Sequence, residues 1–314
     1  MKTFVPDYYP QFHCKAGACR KSCCIGWEIG IDADTLAYYR SVSGEFGAHL
    51  HDSIDEDEDG AHFRLCENER CPFLNSAGLC DIYIRCGKEH LSQICTDHPR
   101  FYNELCARRE MGLGLACEAV GELLLKKQSV TRWILWEEDD ADETSSAWEE
   151  AVFAERENIL AVLQNRAEPL AERIFRLTDD VWYGRTPEQW REFYNGLERM
   201  ETAWDDRLAY LNAENAECLL QAPAEGETVW EQLLVYFVNR HLADAADVLD
   251  LDARLAFAVL SYAVIRSIWE GECRKNGEAS LAELIETARL YSAEIEYSED
   301  NTAAVLDALE ECLG

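Results

Sequence analysis

Hydrophobic positions recur at helical spacing through the second part of the chain and only rarely in the first part. Trp148, Val152 and Ile159 lie four and seven residues apart, which places them on one face of a helix. Up to about residue 125, Cys, Gly, Asn and Pro interrupt the sequence every few residues. We therefore predict a mainly α protein, with an irregular cysteine-rich metal-binding module over residues 1–125 and an all-helical bundle over residues 126–314.

Two helix starts are marked by capping boxes, in which a side chain at the N-cap and one three residues later bind each other's backbone N–H. Ser146 with Glu149 forms one box, and Thr186 with Gln189 forms the other, with a proline at the first helical position. The second helix is expected to carry Trp190 through Trp204 on one face. Further helices are predicted over residues 34–42, 167–177, 229–249, 253–269, 280–291 and 301–313.

Aromatic residues on these predicted helical faces are interpreted as core rather than as ligand-binding side chains. They include Trp230, Tyr236, Tyr262 and Trp269. The acidic stretch at residues 52–60 lacks the ligand spacing of an EF-hand, and we interpret it as a solvated loop. A second acidic run, at residues 137–143, precedes the helical part.

Acidic residues outnumber basic ones by 61 to 29, which gives a formal net charge of -32. Such a surface repels phosphate backbones and attracts cationic partners, so nucleic acid is not an expected ligand. A solvated acidic face that only maintains solubility is the alternative. The first ten residues lack the apolar core of a secretory signal, and the longest apolar stretch, Leu255 to Ile265, ends at Arg266. We expect a cytoplasmic protein without a membrane span.

Eleven of the fourteen cysteines fall within the first 117 residues. In a reducing compartment so dense a set of thiols favours a metal site over disulfides. The spacings match neither a zinc ribbon nor a ferredoxin, and Gly26 stands where a Cys-x3-Cys-x2-Cys motif would need its third cysteine. Tetrahedral zinc and an iron-sulfur cluster both remain open on spacing alone.

Several separated motifs together resemble the flagellin lysine N-methylase family over about residues 5–125. The motifs are Phe12-x-Cys14-x4-Cys19-x3-Cys23-Cys24-x-Gly26-Trp27, Cys71-Pro72-Phe73-Leu74, Leu79-Cys80-x-Ile82, Gly87 to Leu91-Ser92-x2-Cys95, Pro99-Arg100 and Leu115-Ala116-Cys117-Glu118-Ala119. The helical remainder is compatible with the family in length but carries no motif that we can match.

The resemblance implies a protein lysine N-methyltransferase that uses S-adenosylmethionine, acts on flagellin or a similar lysine-bearing protein, and holds an iron-sulfur cluster, [4Fe–4S] rather than zinc. Carried onto this sequence, the metal ligands are Cys14, Cys19, Cys23, Cys24, Cys71, Cys80, Cys95 and Cys117. Eight thiols exceed the four that one cubane needs, so some are structural or there are two sites. Cys66, Cys86 and Cys106 fall outside the family pattern.

Methylation of lysine requires a deprotonated amine in line with the sulfonium methyl group, in a pocket with Tyr, Asp or Glu and aromatic walls. Tyr8, Tyr9, Phe12 and Trp27 are candidate walls, with packing around the metal as the alternative. His98 is a possible further ligand. Residues 112–114 (Gly-Leu-Gly) are too short, and lack the strand–helix frame, for a nucleotide-binding turn.

Neither the methyl-donor site nor a catalytic residue, nor the oligomeric state, follows from the sequence. The alternative function is a non-enzymatic metal-binding or redox-sensing protein whose helices bind a partner. A structural zinc module on an interaction bundle is a third possibility.

Overall fold

The chain folds into two compact units, which are described in a computed structural model over residues 1–58, 60–138, 144–220, 226–277 and 280–314. His13–Arg100 forms one unit, named here the cysteine unit, and Met1–Phe12 with Phe101–Gly314 forms the other, named the helical unit. This division differs in position from the predicted one at residue 125. The first strand of the chain pairs with strands that follow residue 107, and so belongs with them.

Seven strands and fourteen α-helices are found in the described residues. The strands are β1 (Lys2–Pro6), β2 (Gly30–Ile31), β3 (Ile54–Glu56), β4 (Ala61–Phe63), β5 (Arg100–Glu104), β6 (Arg108–Leu113) and β7 (Trp133–Glu138). The helices are α1 (Ala33–Ser41), α2 (Gly44–Asp52), α3 (Asp81–Cys86), α4 (Gln93–Asp97), α5 (Glu118–Leu125), α6 (Ala147–Leu163), α7 (Leu170–Phe175), α8 (Pro187–Asn195), α9 (Ala203–Leu208), α10 (Ala213–Ala216), α11 (Glu227–His241), α12 (Val248–Asn276), α13 (Leu281–Tyr291) and α14 (Glu299–Leu313). The mainly α prediction is confirmed.

The helical unit combines the long C-terminal helices with a four-stranded sheet in the order β5-β6-β1-β7. Strand β1 is parallel to β6 and antiparallel to β7. The predicted all-helical segment therefore contains one strand, β7, which the sequence pattern did not indicate. The aromatic side chains predicted as core are buried, and Trp190 and Trp204 join them at the centre of the unit.

The predicted helix starts are confirmed at atomic detail. The side chains of Ser146 and Thr186 each accept a hydrogen bond from the backbone N–H three residues on, and both capping boxes are complete. Asp32 caps α1 in the same way. The helix ends are corrected at two places. Helix α8 ends at Asn195, so Trp204 lies on α9, and α11 ends at His241 instead of continuing to residue 249.

The cysteine unit contains the small sheet β2-β4-β3 and helices α1 to α4. A core of its own, which includes Tyr39, Phe63 and Phe73, holds these elements together. The prediction that residues 52–60 form a loop is wrong in part, because Ile54–Glu56 forms β3 and pairs with Ala61–Phe63. Residue 59 of that stretch, and residues 139–143 of the second acidic run, lie outside the described residues.

Among the helices of the described chain, none combines the length and the apolar character that a bilayer crossing needs.

Candidate functional site

The backbone of the cysteine unit brings Cys24 next to Cys71. The Cys71 N–H donates to the Cys24 carbonyl at 2.9 Å, and the Gly26 N–H donates to the Glu69 carbonyl at 3.1 Å. Ile25 and Arg70 form an antiparallel bridge between these two hydrogen bonds. Two cysteine motifs that are more than forty residues apart in sequence thus meet side by side.

Cys80 and Cys95 complete a group of four with Cys24 and Cys71, named here the four-thiol cluster. Cys80 is the N-cap of α3, where its Sγ accepts a hydrogen bond from the Tyr83 N–H at 3.5 Å. Cys95 lies on α4, whose first residue Gln93 donates its backbone N–H to an Asp32 carboxylate oxygen at 2.8 Å.

Electrostatic coupling links the ionisation of the four thiols in every pairing. Burial raises the pKa of Cys71 to about 12, and the negative charges of Cys24, Cys95 and Cys80 act in the same direction. Cys95 is an exposed residue, but desolvation of its thiol raises its pKa to about 11, with contributions from Cys24 and Cys80. Burial also raises the pKa of Cys80, with a contribution from Cys24. Four thiolates in this place would therefore need a positive charge among them.

Cys24 is the one thiol of the cluster whose pKa is lowered. A hydrogen bond from Cys23 lowers it to about 7, against the effect of burial, and Ser22 and the Arg70 guanidinium contribute. The Cys24 N–H donates to Ser22 Oγ at 3.2 Å, and Arg70 is itself held by the carbonyls of Leu74 and Asn75. Cys24 is thus the thiol of the cluster that ionises most readily.

The chemistry of the four-thiol cluster suits zinc or an iron-sulfur cluster, both of which are bound by four thiolates. Its geometry is not that of a formed site, because no three His, Cys, Asp or Glu side chains of the described residues are arranged to hold a metal ion. The donor set is therefore present without the ligand geometry, and metal binding remains a proposal.

The other predicted ligands are placed differently from the four-thiol cluster. Cys14 and Cys23 are exposed and Cys19 is half-buried, all in the cysteine unit. Cys14 Sγ accepts a hydrogen bond from the Ala16 N–H at 3.3 Å. Cys117 belongs to the helical unit, at the N-cap of α5.

The candidate aromatic wall is divided between the two units. Tyr8 and Tyr9 are buried in the core of the helical unit, and Phe12 packs against that core, so these three residues serve packing. Trp27 lies in the cysteine unit, with its ring 5.6 Å from that of His98. Burial lowers the pKa of His98 to about 4, so this imidazole is neutral at pH 7.

A buried polar network in the helical unit was not foreseen from the sequence. Its centre is the fully buried carboxylate of Glu296, which accepts hydrogen bonds from Tyr236 Oη at 2.9 Å and His241 Nε2 at 2.7 Å. Arg240 Nε lies 3.2 Å from the same carboxylate, and its Nη1 donates to Tyr236 Oη at 2.8 Å. Although burial alone would raise it, the charge of Arg240 and the hydrogen bond from His241 lower the pKa of Glu296.

The backbone around this network is specialised. Residues Ser292–Glu296 form a π-helix, a rare conformation that is frequent at functional sites. Gly114 packs directly against the network, since a Cβ there would lie 2.6 Å from Tyr297 Oη and 2.9 Å from Arg240 Nη1. Nothing in the sequence around Glu296 (Glu-Ile-Glu-Tyr) indicates that this side chain is buried. The only indication is indirect: Arg240 and His241, its partners, lie on an otherwise apolar helix.

The Gly-Leu-Gly segment also requires a correction. Gly112 and Leu113 are the last residues of strand β6, and helix α5 follows from Glu118, so the strand–helix frame that the sequence appeared to lack exists. The two glycines nevertheless serve packing, because a Cβ at Gly112 would lie 2.0 Å from the Phe101 ring. The segment offers no open cradle for a phosphate or an adenosine.

An acidic cavity of about 360 Å³ lies in the helical unit. Glu104, Glu149, Asp244 and Trp148 are among its lining residues. Glu149 is committed to the capping box and to the Cys106 N–H, and Glu104 pairs with Arg109 at 2.6 Å. Within the described part of the chain, no hydrogen bond or ion pair engages Asp244.

Asp244 has a carboxylate of unusual basicity. Partial desolvation raises its pKa, and the nearby charges of Glu110 and Asp250 act in the same direction, against the opposing effect of Arg254. The cavity therefore combines an uncommitted carboxylate with an indole, which is the combination expected for binding a cationic amine.

Comparison with known proteins finds a family that matches the C-terminal part of the chain. Residues 176–314 match the family described as the FliB lysine N-methylase C-terminal domain. This is the helical part in which no motif could be matched by inspection. No solved structure matches the chain.

Curated relatives point to the same family. The chain is 28% identical over 126 residues to the lysine-N-methylase of Salmonella typhimurium, an alignment that covers 38% of this chain and 31% of that protein. The lysine-N-methylase of Salmonella choleraesuis gives the same identity and coverage. The flagellar biosynthetic protein FliU of Salmonella muenchen is 27% identical over 126 residues, which are 38% of this chain and 75% of that protein.

The predicted resemblance to the flagellin lysine N-methylase family is thereby confirmed, by the match of residues 176–314 and by the names of these relatives. The matched region spans about a third of the length of the two lysine-N-methylases.

Proposed function

We propose that this protein is a protein lysine N-methyltransferase that takes its methyl group from S-adenosylmethionine and acts on flagellin or a similar protein. The observation that carries the proposal is the match of residues 176–314 to the FliB lysine N-methylase C-terminal domain. The names of the relatives, which include two lysine-N-methylases and a flagellar biosynthetic protein, support it. The net charge of -32 favours a lysine-bearing partner.

The acidic cavity is the place we propose for the substrate lysine. Its carboxylates attract the ammonium group, and the indole of Trp148 offers a face to a methylated cation. The raised pKa of Asp244 makes it a stronger proton acceptor than an ordinary Asp, and the amine must lose a proton before it can act as a nucleophile. S-adenosylmethionine, when bound, supplies an electrophilic methyl group.

The four-thiol cluster is the proposed metal site, with Cys24, Cys71, Cys80 and Cys95 as ligands of an iron-sulfur cluster rather than of zinc. The coupled ionisation of these thiols supports this choice over the other predicted ligands. The metal's role in this proposal is to add to the core of the cysteine unit, because four thiolates on one centre cross-link the segments that carry them. Methyl transfer to an amine needs no metal.

Metal content tests the cysteine assignment. The protein is purified without oxygen and analysed for iron, acid-labile sulfide and zinc. Cys80→Ser is the sharpest variant, since serine preserves the N-cap of α3 while removing a thiolate. We expect Cys80→Ser and Cys95→Ser to lose the metal, and the exposed Cys66→Ser and Cys14→Ser to keep it. Equal loss in all four variants would contradict the assignment.

Transfer of a methyl group tests the activity. Purified flagellin is incubated with the protein and S-adenosylmethionine, and lysine methylation is read as a mass increase in peptides. We expect Asp244→Asn to raise the KM for the protein substrate at least tenfold with an unchanged melting temperature, and the exposed Asp252→Asn to behave as wild type. If S-adenosylmethionine does not bind the metal-loaded protein, the non-enzymatic metal-binding function replaces this proposal.

A further inference from the structure

We propose that the outer edge of β7 is a docking strand, to which an extended lysine-bearing segment of the partner protein adds as a further strand of the sheet. The inference rests on the proposed function in one respect, since it takes this partner to be the protein whose lysine is methylated. It assigns a role to a strand that lies outside both the cavity and the four-thiol cluster.

Strand β7 lies at the end of the sheet order β5-β6-β1-β7. Its inner edge is paired with β1 from Lys2 to Pro6, and no strand of the described chain pairs with its outer edge. An edge strand carries a row of unpaired N–H and C=O groups, to which another extended chain can bond. Addition of a strand from a partner is an established form of peptide recognition.

The side chains of β7 are unusual for an exposed edge. Ile134, Leu135 and Trp136 are consecutive, and 37%, 49% and 43% of their surfaces are exposed. Because consecutive residues of a strand point to opposite faces, apolar surface is offered on both sides of the edge. Proteins normally protect such edges with charged residues, whereas here the charges of Glu137 and Glu138 come only at the end of the strand.

A bulge positions Trp136 at this edge. Leu135 pairs with Phe4 and Glu137 pairs with Thr3, so Trp136 has no opposite residue in β1. Its ring packs edge-on against Tyr9 at 5.6 Å and still leaves the exposure given above. Bulges of this kind redirect a side chain at the margin of a sheet. The indole is therefore held in place and remains available to a partner.

Charge identifies the class of partner. Glu137 forms no ion pair within the described residues, and Glu138 pairs with Lys2 at 3.2 Å while both side chains remain about half exposed. A segment that pairs along β7 would place apolar side chains beside Ile134 and Trp136 and a lysine beside Glu137. An extended stretch in which apolar residues alternate with lysine meets both requirements.

The probe is a synthetic eight-residue peptide in which valine alternates with lysine, measured by fluorescence anisotropy without any methyl donor. A second peptide of the same sequence and charge carries N-methyl groups on all of its backbone nitrogens, so that neither of its edges can donate hydrogen bonds to β7. The protein variants are Ile134→Gln with Leu135→Gln on β7, and Phe175→Gln on α7 as control. Phe175 is 56% exposed, so the control loses a comparable apolar surface elsewhere.

We expect the N-methylated peptide to bind at least tenfold more weakly than the plain peptide. The β7 variant should bind the plain peptide at least fivefold more weakly than wild type, with Phe175→Gln unchanged. Equal affinity for both peptides would show that attraction by net charge alone explains binding, and would overturn the proposal. If the wild type instead forms dimers that the β7 variant cannot form, and the peptide does not compete, the edge pairs with a second copy and the proposal is overturned.

Peptide binding and flagellin methylation, measured on the same variants, distinguish failure of the docking strand from failure of the proposed activity. Methylation of flagellin that is equally efficient in wild type and in the β7 variant would leave the activity intact and remove the docking strand. Peptide pairing at β7 in a protein that transfers no methyl group would leave the docking strand and remove the activity.

Discussion

Replacement of Glu296 by Gln is expected to destabilise the helical unit strongly, although the two side chains have the same shape. The carboxylate is fully buried and is bonded to Tyr236, Arg240 and His241. The change removes the negative charge and leaves the Arg240 guanidinium, whose side chain is 11% exposed, without its counter-charge. An amide also cannot accept all the hydrogen bonds that the carboxylate accepts.

The size of the effect follows from the burial of the pair. Breaking a buried ion pair by removing one partner costs about 3–5 kcal/mol. Arg240 keeps a bond from Nη2 to the Glu296 carbonyl at 3.1 Å and retains slight contact with solvent, so the lower end, about 3 kcal/mol, applies here. For a unit of this size, a loss of that order lowers the melting temperature by about 10 °C.

Circular dichroism during heating, together with urea unfolding, measures this difference. The matched control is Glu311→Gln, which removes the same charge from a side chain that is 80% exposed, and it should change stability by less than about 0.5 kcal/mol. The double variant Glu296→Gln with Arg240→Leu should lose less than the sum of the single losses, because no buried charge is left unpaired. A Glu296→Gln protein that melts with the control would refute this account of the network.

Three other substitutions follow from contacts described above. Gly112→Ala should cost at least about 1–3 kcal/mol, because its methyl group would lie 2.0 Å from the Phe101 ring, whereas Gly30→Ala, with no atom within 4 Å of the added carbon, should melt as wild type. Thr186→Ala should lower the free energy of unfolding by about 1 kcal/mol through loss of the α8 cap; an unchanged urea midpoint would contradict the role of the capping box. Burial lowers the pKa of His241, so the unfolded chain binds a proton that the folded protein excludes. Stability should therefore fall as the pH drops below about 6.5, and His241→Gln should reduce that dependence between pH 7 and 5 in urea titrations, where equal slopes would refute the assignment.

Helices with local signals were predictable, and strands that depend on distant partners were not. Ser146 and Thr186 each form a capping box with a residue three positions later, and this local pattern correctly predicted the start of both helices. Strand β1 has no such signal, because five residues acquire their conformation only from β6 and β7, more than a hundred positions later. The same dependence on distant pairing explains why β7 was not foreseen.

The candidate site shows the same limit. The density of thiols indicated a metal-binding segment, and the family pattern named eight of them. The selection of Cys24, Cys71, Cys80 and Cys95 depends on the Ile25–Arg70 bridge and on the cap of α3, which no spacing rule contains. Asp244 and Glu296 were missed for a further reason. Tertiary packing determines the surroundings and the partners of a carboxylate, and no sequence pattern around either residue indicates them.

The interrupted course of the helical unit has a consequence for how the protein is made. Lys2–Pro6 is translated before its parallel neighbour Arg108–Leu113, and the whole of His13–Arg100 is translated between them. The nascent chain therefore carries a partnerless strand while the cysteine-bearing insert, with its own apolar centre, is already complete in length. During that interval the insert can fold around its own core, whereas the strand must wait for its two neighbours.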